Sequence, residues 1–236
     1  MKIFEQALSD LDLSPAGGEL EKRIRNRSAR VGVIGLGNVG LPLALEMAQA
    51  GFQVTGIDLD RIRVDSANSG MSYILDVPNE SLFSLVRKGT FRATQSFAAI
   101  ENLDTLIICV PTPLKKTKDP KLSYVVAAIE AVNNHLKIGH LIIVESTIYP
   151  GTAREVVLPI LQKSGLQVGK HFFLAFSPQR VEPVSGTYTG RITPKIIGGM
   201  TDRCSELSTL FYRQFIEKIV PVSCSEAARS FKLLEN

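Results

Sequence analysis

The chain has 236 residues, 44% of them hydrophobic and 21% charged, with a formal net charge of +4. These values describe an ordinary globular protein, with room for one large domain or for one domain and the start of another, and they exclude collagenous and disordered classes. No apolar run approaches the ~18 residues of a membrane-spanning helix, and acidic residues fall where a secretory leader needs an apolar core, so the expectation is a cytoplasmic chain without a membrane partner.

In chain order, residues 1–29 read as a helical or partly ordered lead-in. Strand-like runs and helix-like stretches then alternate: RVGVIG (30–35), a helix over 39–50, FQVTGID (52–58), helices over 60–68 and 79–88, and DTLIICV (104–110). The alternation continues with a helix over 123–135, HLIIVES (140–146), a helix over 152–164, HFFLAFS (171–177), KIIGG (195–199), a helix over 201–217 and KIVPV (218–222). Continuous β-branched runs separated by helical patterns predict a parallel sheet covered on both faces, because the crossover helices hide both surfaces of each strand. The expected fold is therefore α/β: a Rossmann-like doubly wound sheet over 30–222, followed at 223–236 by the start of a connecting helix.

Cys109, Cys204 and Cys224 are too few and too scattered for a disulfide framework or a zinc site, which fits a reducing compartment. His135, His140 and His171 lack metal-ligand spacing and read as structural or solvated. The basic runs EKRIRNRSAR and KKTKDPK have no interleaved aromatics, so nucleic acid is not an expected partner.

Gly35, Gly37 and Gly40 stand in G-x-G-x-x-G register between the first apolar run and the helical LPLALEMAQA. In a dinucleotide-binding unit the first glycine permits the tight turn, the second lets backbone approach a pyrophosphate, and the third lets helix and strand pack closely. The helix N-terminus then offers its unpaired N–H groups to the phosphates. Asp58 closes the second strand 18 residues after Gly40, where a carboxylate accepts hydrogen bonds from a ribose diol and repels a ribose phosphate. The reading is an NAD site formed by Gly35, Leu36, Gly37, Asn38, Val39, Gly40 and Asp58. Arg63 is a further candidate contact, and with Arg61 it is the signal that argues for NADP instead.

Three later segments, ICVPTPL (108–114), VESTIYPGT (144–152) and LAFSPQRVEP (174–183), follow successive strands and project from the carboxyl edge of the sheet. With GLGNVGLPLA and the closing KLLEN, they resemble the nucleotide-sugar 6-dehydrogenase family from about residue 19 to 236, most nearly the UDP-N-acetylglucosamine and UDP-N-acetylmannosamine 6-dehydrogenases. The resemblance implies a UDP-N-acetylhexosamine substrate whose primary alcohol becomes an aldehyde and then a carboxylate, each step delivering a hydride to one NAD. It also implies a homodimer, a cysteine thiolate that holds the second step as thiohemiacetal and thioester, and a lysine and an asparagine that stabilise the oxyanion. Lys232 and Asn236 match the family's K-x-x-x-N, and their i,i+4 spacing puts both on one helix face. Thr147 matches the threonine of S-T-x-x-P-G, whose hydroxyl orients the reacting water or alcohol. By the same resemblance Thr147 also joins Val110, Pro111 and Thr112 as a cofactor contact, while Gln179, Arg180 and Glu182 face substrate. Glu145 reads either as an acid–base or ribose-contacting group or as a solvated strand-end carboxylate.

Departures from the family pattern carry weight too. The usual S-P-E-R is Ser177-Pro178-Gln179-Arg180 here, so an amide that cannot take a proton replaces the carboxylate expected to assist water. Asn38 stands where a tyrosine is usual, and Arg229 where an acidic residue precedes the K-x-x-x-N pair. Nothing in the sequence matches the family's G-x-C-x-P nucleophile element or its uridine-gripping domain. The expectation is the NAD-binding half of a UDP-N-acetylhexosamine 6-dehydrogenase, incomplete as given and inactive alone, with residues from about Ser225 onward frayed. Two other readings stay open: a stand-alone NAD-binding or interaction module without turnover, and the cofactor domain of a β-hydroxyacid-type dehydrogenase.

Overall fold

The computed structural model describes residues 14–113, 122–149, 151–177 and 194–222. Its strands are β1 (Arg30–Ile34), β2 (Gln53–Ile57), β3 (Phe91–Thr94), β4 (Thr105–Ile108), β5 (Leu141–Val144), β6 (Phe173–Phe176), β7 (Lys195–Gly199) and β8 (Ile219–Pro221). They form one sheet in the order β3-β2-β1-β4-β5-β6-β7-β8. The helices are α1 (Pro15–Arg25), α2 (Gly40–Gln49), α3 (Arg61–Asn68), α4 (Asn79–Arg87), α5 (Ser123–Asn134), α6 (Leu158–Gln162) and α7 (Asp202–Tyr212). Among the described residues no helix is long and apolar enough to cross a membrane.

The two-residue period of the strands divides the apolar side chains between two cores. Val31, Val33, Ile107, Leu141, Ile143 and Phe173 point to one face, which α1, α2, α3, α4 and α7 cover. Ile34, Leu106, Ile108, Ile142, Val144 and Phe176 point to the other, beneath α5 and α6. β4, β5 and β6 are buried at every residue, which is why each reads as an unbroken apolar run.

The structure departs from the sequence expectation in three places. β3 went unread because it is an edge strand with alternating burial, in which Phe91 is covered and Arg92 exposed, so it has no continuous apolar run. The sheet is not wholly parallel: β7 runs antiparallel to β6, and β8 parallel to β7. The sequence between β6 and β7, PQRVEPVSGTYTGRIT, has no helical period to act as a crossover, and an antiparallel neighbour needs none. Finally, the single helix expected over 152–164 is a π turn at Ala153–Val157 leading into α6. The Pro159 ring crowds the carbonyl four residues back, at Glu155, which opens the turn ahead of it.

The described part of the lead-in is an integral layer. Gly17, Leu20 and Ile24 of α1 are buried at helical spacing, and Glu21 accepts a 2.8 Å bond from Arg203 of α7. Phe211 lies at the centre of an aromatic cluster with Phe52, Tyr212 and Phe215, at centroid distances of 5.3–5.5 Å.

At the amino edge of the sheet, His140 is fully buried ahead of β5. Its Nε2 lies 3.1 Å from the Leu103 carbonyl oxygen, which can only accept, and its Nδ1 accepts from the Lys137 N–H at 3.3 Å. The neutral ring thus has both nitrogens matched and no place for a second proton. Burial, helped by the Lys137 charge, lowers its pKa from 6.5 to about 4. Below pH 6.5 the unfolded chain binds a proton that the folded chain refuses until about 4, so stability is complete above this window and is lost as pH falls through it. Urea titrations between those limits should show a loss of up to about 3 kcal/mol in the parent chain, and a flatter profile in His140→Gln.

Candidate functional site

β1 is the switch point of the sheet. The chain moves outward from it through β2 and β3, then returns to lay β4, β5 and β6 on its other side. The loops after β1 and β4 therefore diverge, and the crevice between them holds a cavity of ≈ 610 Å³ at the carboxyl ends of the strands. Its lining runs from Asp58 and Arg63 at one end, past Gly35, Gly37, Asn38 and Val39, to Val110, Pro111, Thr112, Glu145, Ser146 and Thr147 at the other. A volume of several hundred Å³ is the usual scale for a cofactor site.

The glycine loop is fixed by contacts on every side. Gly35 adopts φ +92°, and a Cβ there would stand 2.9 Å from the Cys109 carbonyl oxygen. A Cβ on Gly40 would fall 1.8 Å from the Gly35 carbonyl oxygen, so α2 can meet the loop only with glycine at this position. Gly37 differs. The nearest atom to a Cβ there is Arg63 Nη1 at 4.0 Å, which leaves the peptide open to the cavity for a pyrophosphate to approach. No side chain caps the start of α2 and no acidic residue stands in its first turn; the Leu41 N–H bonds to the Gly37 carbonyl at 3.1 Å and residue 42 is proline, so the backbone that meets the cavity is that of Gly37, Asn38 and Val39.

Asp58 does more than the sequence reading asked of it. Its Oδ2 accepts the Leu36 N–H at 2.7 Å and its Oδ1 accepts the Asp60 N–H at 2.9 Å, so the carboxylate fastens the glycine loop to the start of α3. Arg63 lies 3.5 Å from the same carboxylate and 3.6 Å from Asp60, and its positive charge is compensated from both. Leu36 and Gly40, read as cofactor contacts, do not line the cavity: Leu36 is fully buried and acts through its backbone, and Gly40 through its packing.

Tyr73 escaped the sequence analysis. Its hydroxyl donates to the Leu36 carbonyl at 2.8 Å, and its ring carries the Arg63 guanidinium 5.9 Å from the centroid. Burial, and then the Asp58 charge, push the phenol well above its ordinary pKa, so it remains a donor. Also unforeseen was the apolar wall. Phe97 precedes β4, and Tyr124, Ala127, Ala128 and Ala131 fall at helical spacing along α5. Small residues at the last three positions leave room for a flat ring.

At the opposite end, Ser146 donates to the Val110 carbonyl at 2.8 Å and ties together the loops after β4 and β5. Glu145 corrects the solvated strand-end reading: it is 1% exposed, and its carboxylate receives Lys195 Nζ at 2.7 Å and the Tyr212 hydroxyl. It is a buried, bound anion. Burial, followed by the Glu145 charge, raises both the Cys109 thiol and the Tyr212 phenol well above their usual pKa, so both stay protonated. Cys109 in this state is no thiolate nucleophile. Of the remaining sequence candidates, Gln179, Arg180, Glu182, Lys232 and Asn236 lie outside the described residues.

Comparison with known proteins agrees with this geometry. The family model for the NAD-binding domain of the UDP-glucose/GDP-mannose dehydrogenase family matches residues 29–216. The chain is 33% identical over 214 residues to the UDP-N-acetyl-D-mannosamine dehydrogenase of Pyrococcus horikoshii, covering 88% of this chain and 50% of that protein. It is 33% identical over 215 residues to the UDP-N-acetyl-D-glucosamine 6-dehydrogenase of Pseudomonas aeruginosa, covering 89% and 49% respectively. Among solved structures it is similar to the UDP-N-acetyl-mannosamine dehydrogenase of Staphylococcus aureus, with a TM-score of 0.81, 30% identity, and coverage of 88% of this chain and 50% of the other. The chain thus spans about half the length of the curated relatives it matches.

Because Asp58 both faces the cavity and holds the loop, its loss should act twice. Asp58→Ala is expected to weaken NAD binding by roughly 1.5–3 kcal/mol, the scale of a hydrogen bond to a charged acceptor, and to narrow the preference over NADP by uncovering Arg63. Calorimetric titration of both nucleotides tests this. An undiminished preference in the variant would contradict it.

Proposed function

Because the chain belongs to the UDP-glucose/GDP-mannose dehydrogenase family, we propose that it supplies the NAD-binding half of a UDP-N-acetylhexosamine 6-dehydrogenase. The observation that carries this reading is the cavity at the switch point, with the Asp58 carboxylate at one end and the Ser146–Thr147 turn at the other. The room over Gly37, the uncapped start of α2 and the apolar wall suit the pyrophosphate and ring systems of a dinucleotide. The substrate class rests on the names of the mannosamine and glucosamine relatives.

When bound, NAD provides the hydride acceptor. Asp58 accepts hydrogen bonds from the ribose diol and disfavours a phosphate there. The backbone of Gly37, Asn38 and Val39, just ahead of α2, receives the pyrophosphate, while Arg63 stays engaged with Asp58 and Asp60. Val110, Pro111 and Thr112 border the site beside Thr147, whose hydroxyl orients the substrate alcohol. Gln179, Arg180 and Glu182 face the sugar, and Lys232 with Asn236 stabilises the alkoxide. Residues 30–222 are assigned to the NAD-binding unit, and the family resemblance assigns 223–236, which lie outside the described residues, to the start of a connecting and dimerising segment.

The nucleophilic cysteine belongs to a part of the enzyme that this sequence does not match. The 236-residue chain should therefore bind NAD yet yield no more than one equivalent of NADH with UDP-N-acetylglucosamine or UDP-N-acetylmannosamine. NADH absorbance that keeps rising past one equivalent would refute this. The reading as a whole is tested at the gene: a frame continuing beyond the Asn236 codon into a G-x-C-x-P element, whose product oxidises either sugar, is expected. A continuing product that oxidises neither would overturn it.

A further inference from the structure

We propose that Lys195 is a positioning residue for the cofactor site: with Tyr212 it holds Glu145 as a buried anion at the far end of the cavity, and the balance of this charge pair sets the site's preference between oxidised and reduced nucleotide. The reversal of β7 places it there. Pairing of Ala175 with Gly199 and of Phe176 with Gly198 carries Lys195 past the carboxyl end of β6, whereas a parallel β7 would begin at the opposite edge of the sheet. Glu145 follows β5 directly, next to Val144, which pairs with Phe176. The two charges meet at 2.7 Å, with side-chain exposures of 10% for Lys195 and 0% for Glu145. The Lys195 ammonium also lies 5.0 Å from the centre of the Tyr212 ring.

A buried ion pair is a weak source of stability, since desolvation of both charges offsets most of their attraction. Its location suggests another use. Asp58 and the glycine loop take the adenosine and pyrophosphate portions, which leaves the nicotinamide beside Cys109, Glu145 and Thr147. The oxidised nicotinamide ring is cationic and the reduced ring is neutral. A carboxylate at this wall favours the oxidised form, and the ammonium behind it tempers that preference, so that product NADH is not rejected. The inference rests on the NAD reading of the cavity.

The test is separate titration of NAD⁺ and NADH at a fixed pH of about 8. The proteins are the parent chain, Lys195→Met, Lys195→Gln, Glu145→Gln and the double variant Glu145→Gln/Lys195→Met. Loss of the ammonium should raise the ratio of NAD⁺ to NADH affinity on the order of tenfold, and loss of the carboxylate should lower it by a similar factor, as for a unit charge acting across ~10 Å at an effective dielectric near 20. The double variant should return close to the parent ratio. If Lys195→Met does not fold, Lys195→Gln carries the same expectation while keeping a donor for Glu145. A loosened fold would change both affinities together, so opposite shifts identify the charge effect. Parallel losses, or an unchanged ratio, overturn the inference alone. Failure of the parent chain to bind either nucleotide overturns the cofactor reading and the inference with it.

Discussion

The Gly35 carbonyl oxygen occupies the place where any residue but glycine at position 40 would need its Cβ, and from this approach the rest of the carboxyl edge follows. It brings the start of α2 directly against the turn after β1, so that the backbone of Gly37, Asn38 and Val39 borders the crevice. It also sets Leu36 where Asp58 can take its N–H and Tyr73 can reach its carbonyl. A loop held at both of its backbone poles is already shaped before a ligand arrives, which lowers the ordering cost of binding.

The two edges of the sheet use polar groups differently. At the amino edge Asp104 accepts the Arg30 N–H and the Arg23 guanidinium, and His140 bonds to the Leu103 carbonyl, so each group closes a local gap between neighbouring elements. At the carboxyl edge Asp58 and Glu145 also have partners within the protein, yet both border the cavity. A carboxylate that braces a loop and faces a ligand couples the shape of the site to its charge.

What the sequence made legible was local. The glycine loop, Asp58 and the turns carrying Val110 to Thr112 and Ser146 to Thr147 each follow an apolar run within a few residues, so period and motif were enough to place them. Tyr73, Lys195 and Tyr212 were not legible, because their partners lie 37, 50 and 67 residues away and neither composition nor spacing marks them. The wall of α5 reads as an ordinary amphipathic helix until the cavity shows which side Ala127 and Ala131 face. The direction of β7 was hidden for a simpler reason: KIIGG is an apolar run whichever way it lies.

The contact of α1 with α7 has a consequence for how the chain comes to be folded. Of the described helices synthesis delivers α1 first, but the surface it covers belongs to residues 202–212, near the other end of the described chain. β1, β2 and β3 can pair as soon as they have left the ribosome, and β4 to β6 add themselves in sequence on the free side of β1. Throughout that interval Leu20 and Ile24 have no α7 to bury them. Of the described helices, the one made first therefore waits for the one made last before its contact with Arg203 can form.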